Sequence, residues 1–128
     1  MNVLGINHIN IEVTADQLPV MIKFYEEVLG LTQGFRTVSK RNGCWLYCSN
    51  QAIIHLSEVQ KLPATSIDSH FNHVALACSG AEASIERLKK HRIDYTMEYR
   101  TPPGMTQLFF FDPVGIRIEL NFAGEKIE

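Results

Sequence analysis

Ile6-Asn7-His8-Ile9-Asn10-Ile11-Glu12-Val13 returns 65 residues later as Phe71-Asn72-His73-Val74-Ala75-Leu76-Ala77-Cys78. Both copies place aliphatic side chains at alternate positions, the pattern of a strand with one buried face. Working outward, a helix-spaced run follows each copy. Residues 16–29 carry Leu18, Met21, Ile22, Tyr25, Val28 and Leu29, with Gly30 as a stop, and residues 81–91 carry Ile85 and Leu88. Spacings of three and four suit a helix lying on a sheet. Strand patterns then follow at 31–39 and 94–99. Next come Trp45-Leu46-Tyr47-Cys48 and Ile53-Ile54-His55-Leu56, matched by Gln107-Leu108-Phe109-Phe110 and Arg117-Ile118-Glu119-Leu120. The tips are Ser49-Asn50-Gln51 and Asp112-Pro113-Val114-Gly115; in the latter, Pro fixes φ and Gly accepts a left-handed turn. The chain therefore reads β-α-β-β-β twice, over about 3–58 and 70–122, with a polar linker near 59–69. Three successive strands joined by short turns must be largely antiparallel, which argues against a doubly wound parallel sheet. The expected fold class is α+β, with two β-α-β-β-β modules in a single domain.

Composition narrows the function classes. The 128 residues are 45% hydrophobic and 20% charged, an ordinary globular balance. A chain of this size buries about two-thirds of its unfolded surface and needs no disulfide or metal merely to fold. The net charge is −2, and no basic cluster exceeds Lys89-Lys90-His91-Arg92. Nucleic acid is not an expected partner. No run of 18 apolar residues and no leader-like start occurs, so no membrane association is expected and the cytoplasm is the expected location. Three cysteines without a C-x-x-C fit a reducing compartment. Cys44 and Cys48 share the parity of Leu46 and are expected to be small buried thiols.

Side-chain parity selects the candidate site. Alternate residues of a strand face opposite sides of the sheet. If Ile9, Ile11 and Val13 meet the helix, His8 faces away from it. By the same parity His73 opposes Val74 and Leu76, His55 opposes Ile54 and Leu56, and Glu119 opposes Ile118 and Leu120. His8 then corresponds to His73, and His55 to Glu119, across the repeat. Three of the five histidines and one carboxylate thus share one kind of face at repeat-related positions. Two curved sheets facing one another would gather these four groups around one divalent transition metal. Three imidazoles and a carboxylate suit Zn, Ni, Fe(II) or Mn better than Mg or Ca. Trp45, Tyr47, Ile53, Gln107, Phe109 and Phe111 lie on the same faces and are the expected substrate-binding wall. Arg100 and Arg117 are candidates to meet an anionic substrate group.

At these residues the chain resembles the vicinal oxygen chelate superfamily, which includes glyoxalase I, fosfomycin-resistance enzymes, extradiol dioxygenases and bleomycin-resistance proteins. The resemblance is carried by Ile6-Asn7-His8-Ile9, by Phe24-Tyr25-x-x-Val28-Leu29-Gly30-Leu31, by Asn72-His73-Val74-Ala75 and by Phe111-Asp112-Pro113-x-Gly115-x-x-Ile118-Glu119-Leu120. It implies two paired β-α-β-β-β modules forming a curved-sheet cup around one divalent metal, often in a homodimer. His8, His73 and Glu119 match the usual ligand positions, and His55 stands where glyoxalase I carries an additional carboxylate ligand. Departures limit the activity. Glu12 stands where bacterial glyoxalase I has an arginine for a glutathione carboxylate. Phe109 stands where an extradiol dioxygenase carries a tyrosine, and Tyr99-Arg100-Thr101-Pro102-Pro103-Gly104 lacks the lysine and serine-rich loop of fosfomycin thiol transferases.

The expected function is that of a metal-dependent enzyme of glyoxalase or lyase type, which chelates neighbouring oxygens of a small-molecule substrate. His55 and Glu119 are the candidate catalytic bases. The rivals are an extradiol-type ring-cleaving dioxygenase and a non-catalytic binding protein of the bleomycin-resistance type.

Overall fold

The computed structural model describes residues 1–2, 4–62 and 71–128. Most of the linker expected at 59–69 lies outside the described residues. The chain divides into two compact units, Met1–Ser66 and Ile67–Glu128. The first holds β1 (Ile9–Val13), α1 (Gln17–Glu27), β2 (Thr32–Gln33), β3 (Gly43–Cys48) and β4 (Gln51–Glu58). The second holds β5 (Val74–Ala77), α2 (Ala81–Lys90), β6 (Thr96–Arg100), β7 (Met105–Phe111) and β8 (Arg117–Ala123). Each unit is thus one β-α-β-β-β module, and the fold is α+β.

Each module has one open four-stranded mixed sheet, in the order β1-β4-β3-β2 or β5-β8-β7-β6. The helix and two further strands separate β1 from its neighbour β4, and this long connection is what permits their parallel pairing. β5 and β8 repeat the arrangement, and the remaining pairs are antiparallel.

Alternation along the strands fixes the core. Ile11, Val13, Leu46, Ile54 and Leu56 are buried in the first module, where α1 contributes Leu18, Met21 and Tyr25. In the second, Leu108, Phe110, Ile118, Leu120 and Phe122 are buried, and α2 contributes Ala81, Ile85 and Leu88. Of the opposite positions, His8 and His73 are exposed, whereas Glu119 is buried. His8 and His73 stand one residue before β1 and β5, so the strands begin later than their sequence pattern predicts.

Two tight features hold the hairpins. Gly43 allows β3 to approach β4, since a Cβ there would sit 2.2 Å from the Leu56 carbonyl oxygen. At the β7–β8 tip, Asp112 Oδ1 accepts hydrogen bonds from the Val114 and Ile116 amides at 3.0 and 2.9 Å, and Gly115 takes φ 88°. Beyond β8, Glu125 turns back onto α2. Its carboxylate accepts from the Gly80 and Ala81 amides at 2.9 and 2.8 Å, which satisfies donors that the start of a helix leaves unpaired. These bonds hold the Glu125 carboxyl below its ordinary pKa.

Two local expectations are corrected. The strand predicted at 31–39 shortens to Thr32–Gln33. After Gly34, whose amide still bonds the Trp45 carbonyl, the chain closes on itself: Tyr47 Oη donates to the Phe35 carbonyl and Arg36 Nη2 to that of Arg41. Cys48 is exposed rather than buried. A register shift between Leu46 and Tyr47 breaks the alternation, and Cys48 ends the strand at the turn, beyond the core. Cys44 is buried as expected, and burial raises its thiol pKa.

Candidate metal centre

The register builds the same diagonal pair in each module. Ile9 lies beside Ile54 and Val74 beside Ile118. His8 precedes the first of these positions by one residue and His55 follows it by one. His73 and Glu119 stand in the same relation to the second. Within each module the described residues bring together two such groups, and no cluster of three or more His, Cys, Asp or Glu side chains forms there.

In the first module His55 lies flat between two rings. Its centroid is 3.8 Å from that of His8, with 9° between the planes, and 4.0 Å from a Trp45 ring, with 10° between them. Burial lowers the His55 pKa, and the Coulombic effect of His8 adds to this; a hydrogen bond to the Ala52 backbone works the other way. His55 is therefore kept neutral below the ordinary imidazole range, as a metal ligand or proton acceptor must be.

In the second module His73 Nε2 lies 2.8 Å from Glu119 Oε2. The Glu119 side chain is 8% exposed, and its other oxygen accepts from Gln107 Nε2, which also bonds Asn121 Oδ1 at 3.2 Å. His73 Nδ1 donates to Asn72 Oδ1 at 2.8 Å, and Arg117 Nη1 donates to the same oxygen at 3.1 Å. Because a guanidinium only donates, the Asn72 atom at this junction is oxygen, and the proton on Nδ1 belongs to His73. In a neutral imidazole this leaves Nε2 with a lone pair facing a carboxylate lone pair, and a 2.8 Å approach requires a proton or a cation between them.

Asn7 repeats the device: His8 Nδ1 donates to Asn7 Oδ1, also at 2.8 Å. Each histidine thus carries its proton on Nδ1 and presents Nε2, with the acceptor supplied by the residue just before it. Metal-bound histidines are oriented by this kind of bond. Asn7 and Asn72 are not among the residues expected at the site, although the repeated Asn-His pair carries the signal. Imidazole nitrogen and carboxylate oxygen are donors of the kind that divalent transition metals take, and each module presents two such groups.

The residues expected to form the wall have these surroundings within their own modules. Trp45 stacks on His55, Tyr47 bonds the Phe35 carbonyl, and Ile53 is half-buried. Gln107 bonds Glu119, Phe109 lies beneath the Arg117 guanidinium, and Phe111 is largely exposed. Arg100 is engaged by Glu98 and Gln107.

Residues 5–120 match the Glyoxalase/Bleomycin resistance protein/Dioxygenase superfamily. The chain belongs to that superfamily. It is similar in fold to a glyoxalase family protein from Bacillus anthracis, with 24% identity, a TM-score of 0.77, and 96% of this chain and 98% of that one covered. A glyoxalase/dioxygenase from Nostoc punctiforme gives 18% identity and a TM-score of 0.78, over 97% and 94% of the two chains. The genomically encoded fosfomycin resistance protein FosX from Listeria monocytogenes gives 16% and 0.70, with 95% of each chain covered. Among curated proteins no match is found. Among the described residues, no helix is long and apolar enough to cross a membrane.

Proposed function

We propose that His8, His55, His73 and Glu119 together hold one divalent transition metal (Zn, Ni, Fe(II) or Mn), and that the chain is an enzyme of glyoxalase or lyase type. The observation that carries this reading is the 2.8 Å approach of His73 Nε2 to Glu119 Oε2, with Nδ1 already committed to Asn72. Bound there, the metal supplies Lewis acidity toward two neighbouring oxygens of a small substrate. The two modules contribute a pair each, from one chain or from the two chains of a homodimer.

The chain's own residues supply the rest. Asn7 and Asn72 hold the imidazoles with Nε2 presented. Trp45, Tyr47, Ile53, Gln107, Phe109 and Phe111 form the substrate wall. The proton step belongs to His55 or Glu119, the repeat-related positions that differ in chemistry. His55, where it stays off the metal, enters as a neutral base; Glu119, where it detaches, enters as a carboxylate steadied by Gln107. Phe109 offers no hydroxyl, which disfavours extradiol ring cleavage. Glu12, which faces Arg41 at 3.5 Å, leaves no free cation for a glutathione carboxylate at that position.

Zinc titration in weak buffer tests the reading. One metal is taken up per site, and uptake weakens as pH falls, because metal and protons compete for the same imidazole and carboxylate atoms. His73→Ala and Glu119→Ala each weaken uptake. Failure to bind any divalent transition metal overturns the proposal. With a metal-loaded enzyme, Glu119→Gln and His55→Gln separate the two candidate bases by their effect on the pH profile of kcat.

A further inference from the structure

The two modules match in the groups that suit a metal and differ at one charged position beside them. Position 117 is an arginine, and its counterpart in the first module is Ile53. The Arg117 guanidinium carbon lies 4.6 Å from the centroid of the Phe109 ring, and Nη1 donates to Asn72 Oδ1 at 3.1 Å. Arg117 and Glu119 are two residues apart on β8 and share a face of the sheet. Among the described residues no carboxylate pairs with Arg117, and its Nε and Nη2 make no hydrogen bond. In contrast, Arg100 is occupied by Glu98 and Arg41 by Glu12.

Resting on the metal-dependent reading, we propose that Arg117 receives a carboxylate of the substrate, so that the substrate class is a vicinal-oxygen chelator bearing a carboxylate outside the chelating pair. A guanidinium packed on an aromatic face and tethered at one nitrogen has already lost most of its rotational freedom, so little further ordering opposes binding. Its remaining N–H donors match the two oxygens of a carboxylate. His73 and Gln107 engage both oxygens of Glu119, which limits the repulsion that the nearby acid would exert on an incoming anion.

The test compares two probes, 3,4-dihydroxybenzoate and catechol, which share the chelating oxygens and differ in the carboxylate. Zinc-loaded wild-type protein is expected to bind 3,4-dihydroxybenzoate at least about tenfold more tightly than catechol, as expected of a charge-assisted bidentate contact. Arg117→Gln removes that preference, and Arg117→Lys, which keeps the charge, retains part of it. Equal affinities in the wild type, or a preference that survives in Arg117→Gln, overturn the inference. If the protein takes up no zinc, the metal reading fails, and metal-free protein titrated with benzoate and benzamide decides the Arg117 assignment separately. Movement of the Arg117 Nε–H NMR signal with benzoate and not with benzamide supports it, and no movement overturns it.

Discussion

Replacing Asn72 with alanine removes one oxygen and two hydrogen bonds, from His73 at 2.8 Å and from Arg117 at 3.1 Å. Without that acceptor His73 is free to carry its proton on either nitrogen and to rotate, and Nε2 is no longer presented to Glu119. Loss of a group that orients a metal-bound histidine weakens metal affinity about 10–100-fold, or about 1.4–2.7 kcal/mol. Asn7→Ala removes only the bond to His8 and falls toward the lower end of that range. Asn72→Asp keeps an acceptor oxygen in place and stays within a few-fold of the wild type. Both asparagines are exposed, so the metal-free variants unfold within about 0.5 kcal/mol of the parent. Competition with a chromophoric zinc chelator reads the affinities, and thermal unfolding of the same metal-free samples reads the folding control. A folded Asn72→Ala protein that binds zinc as tightly as the wild type refutes the reasoning.

Phe122 is fully buried in the second module, and Phe122→Ala costs about 3–5 kcal/mol in chemical denaturation. Gly43→Ala sets a methyl group 2.2 Å from the Leu56 carbonyl and destabilises by about 1–3 kcal/mol, visible as a lower denaturation midpoint. Glu125 has a lowered pKa in the folded state, so its contribution is present above its ordinary value near 4.5 and disappears as pH falls through the folded value. The stability difference between wild type and Glu125→Gln therefore narrows in acid, measured by melting temperature across a pH series. His55 titrates below the ordinary imidazole value of 6.5 in the metal-free protein, and His8→Ala moves it part of the way back, because burial is the larger cause. Imidazole proton NMR follows both titrations.

The repeat and its parity were legible in the residues because alternation places Ile54 and Leu56 on the buried face and His55 on the other, and places Ile118 and Glu119 likewise. Such a pattern survives wherever a strand stays regular. It failed at Cys48, where a register shift and the nearby turn expose a residue with core parity. It failed again at 35–39, where the residues have strand-like composition but no strand pairing forms: Phe35 is held by the Tyr47 side chain, and Arg36 bonds the Arg41 carbonyl. The ligand candidates could be named from their faces alone. The proton positions could not, because they depend on hydrogen bonds between Asn7 and His8 and between Asn72 and His73 that alternation does not encode. Arg117 was visible only as a charge; its tether to Asn72 and its stack on Phe109 required coordinates.

X-ray absorption at the zinc edge, combined with anomalous diffraction from crystals of the loaded protein, locates the metal and its ligands. One zinc is expected at about 2.0–2.2 Å from a nitrogen of each of His8, His55 and His73 and from an oxygen of Glu119. Zinc bound elsewhere, held by sulfur, or ligated by only one of the two pairs contradicts the account.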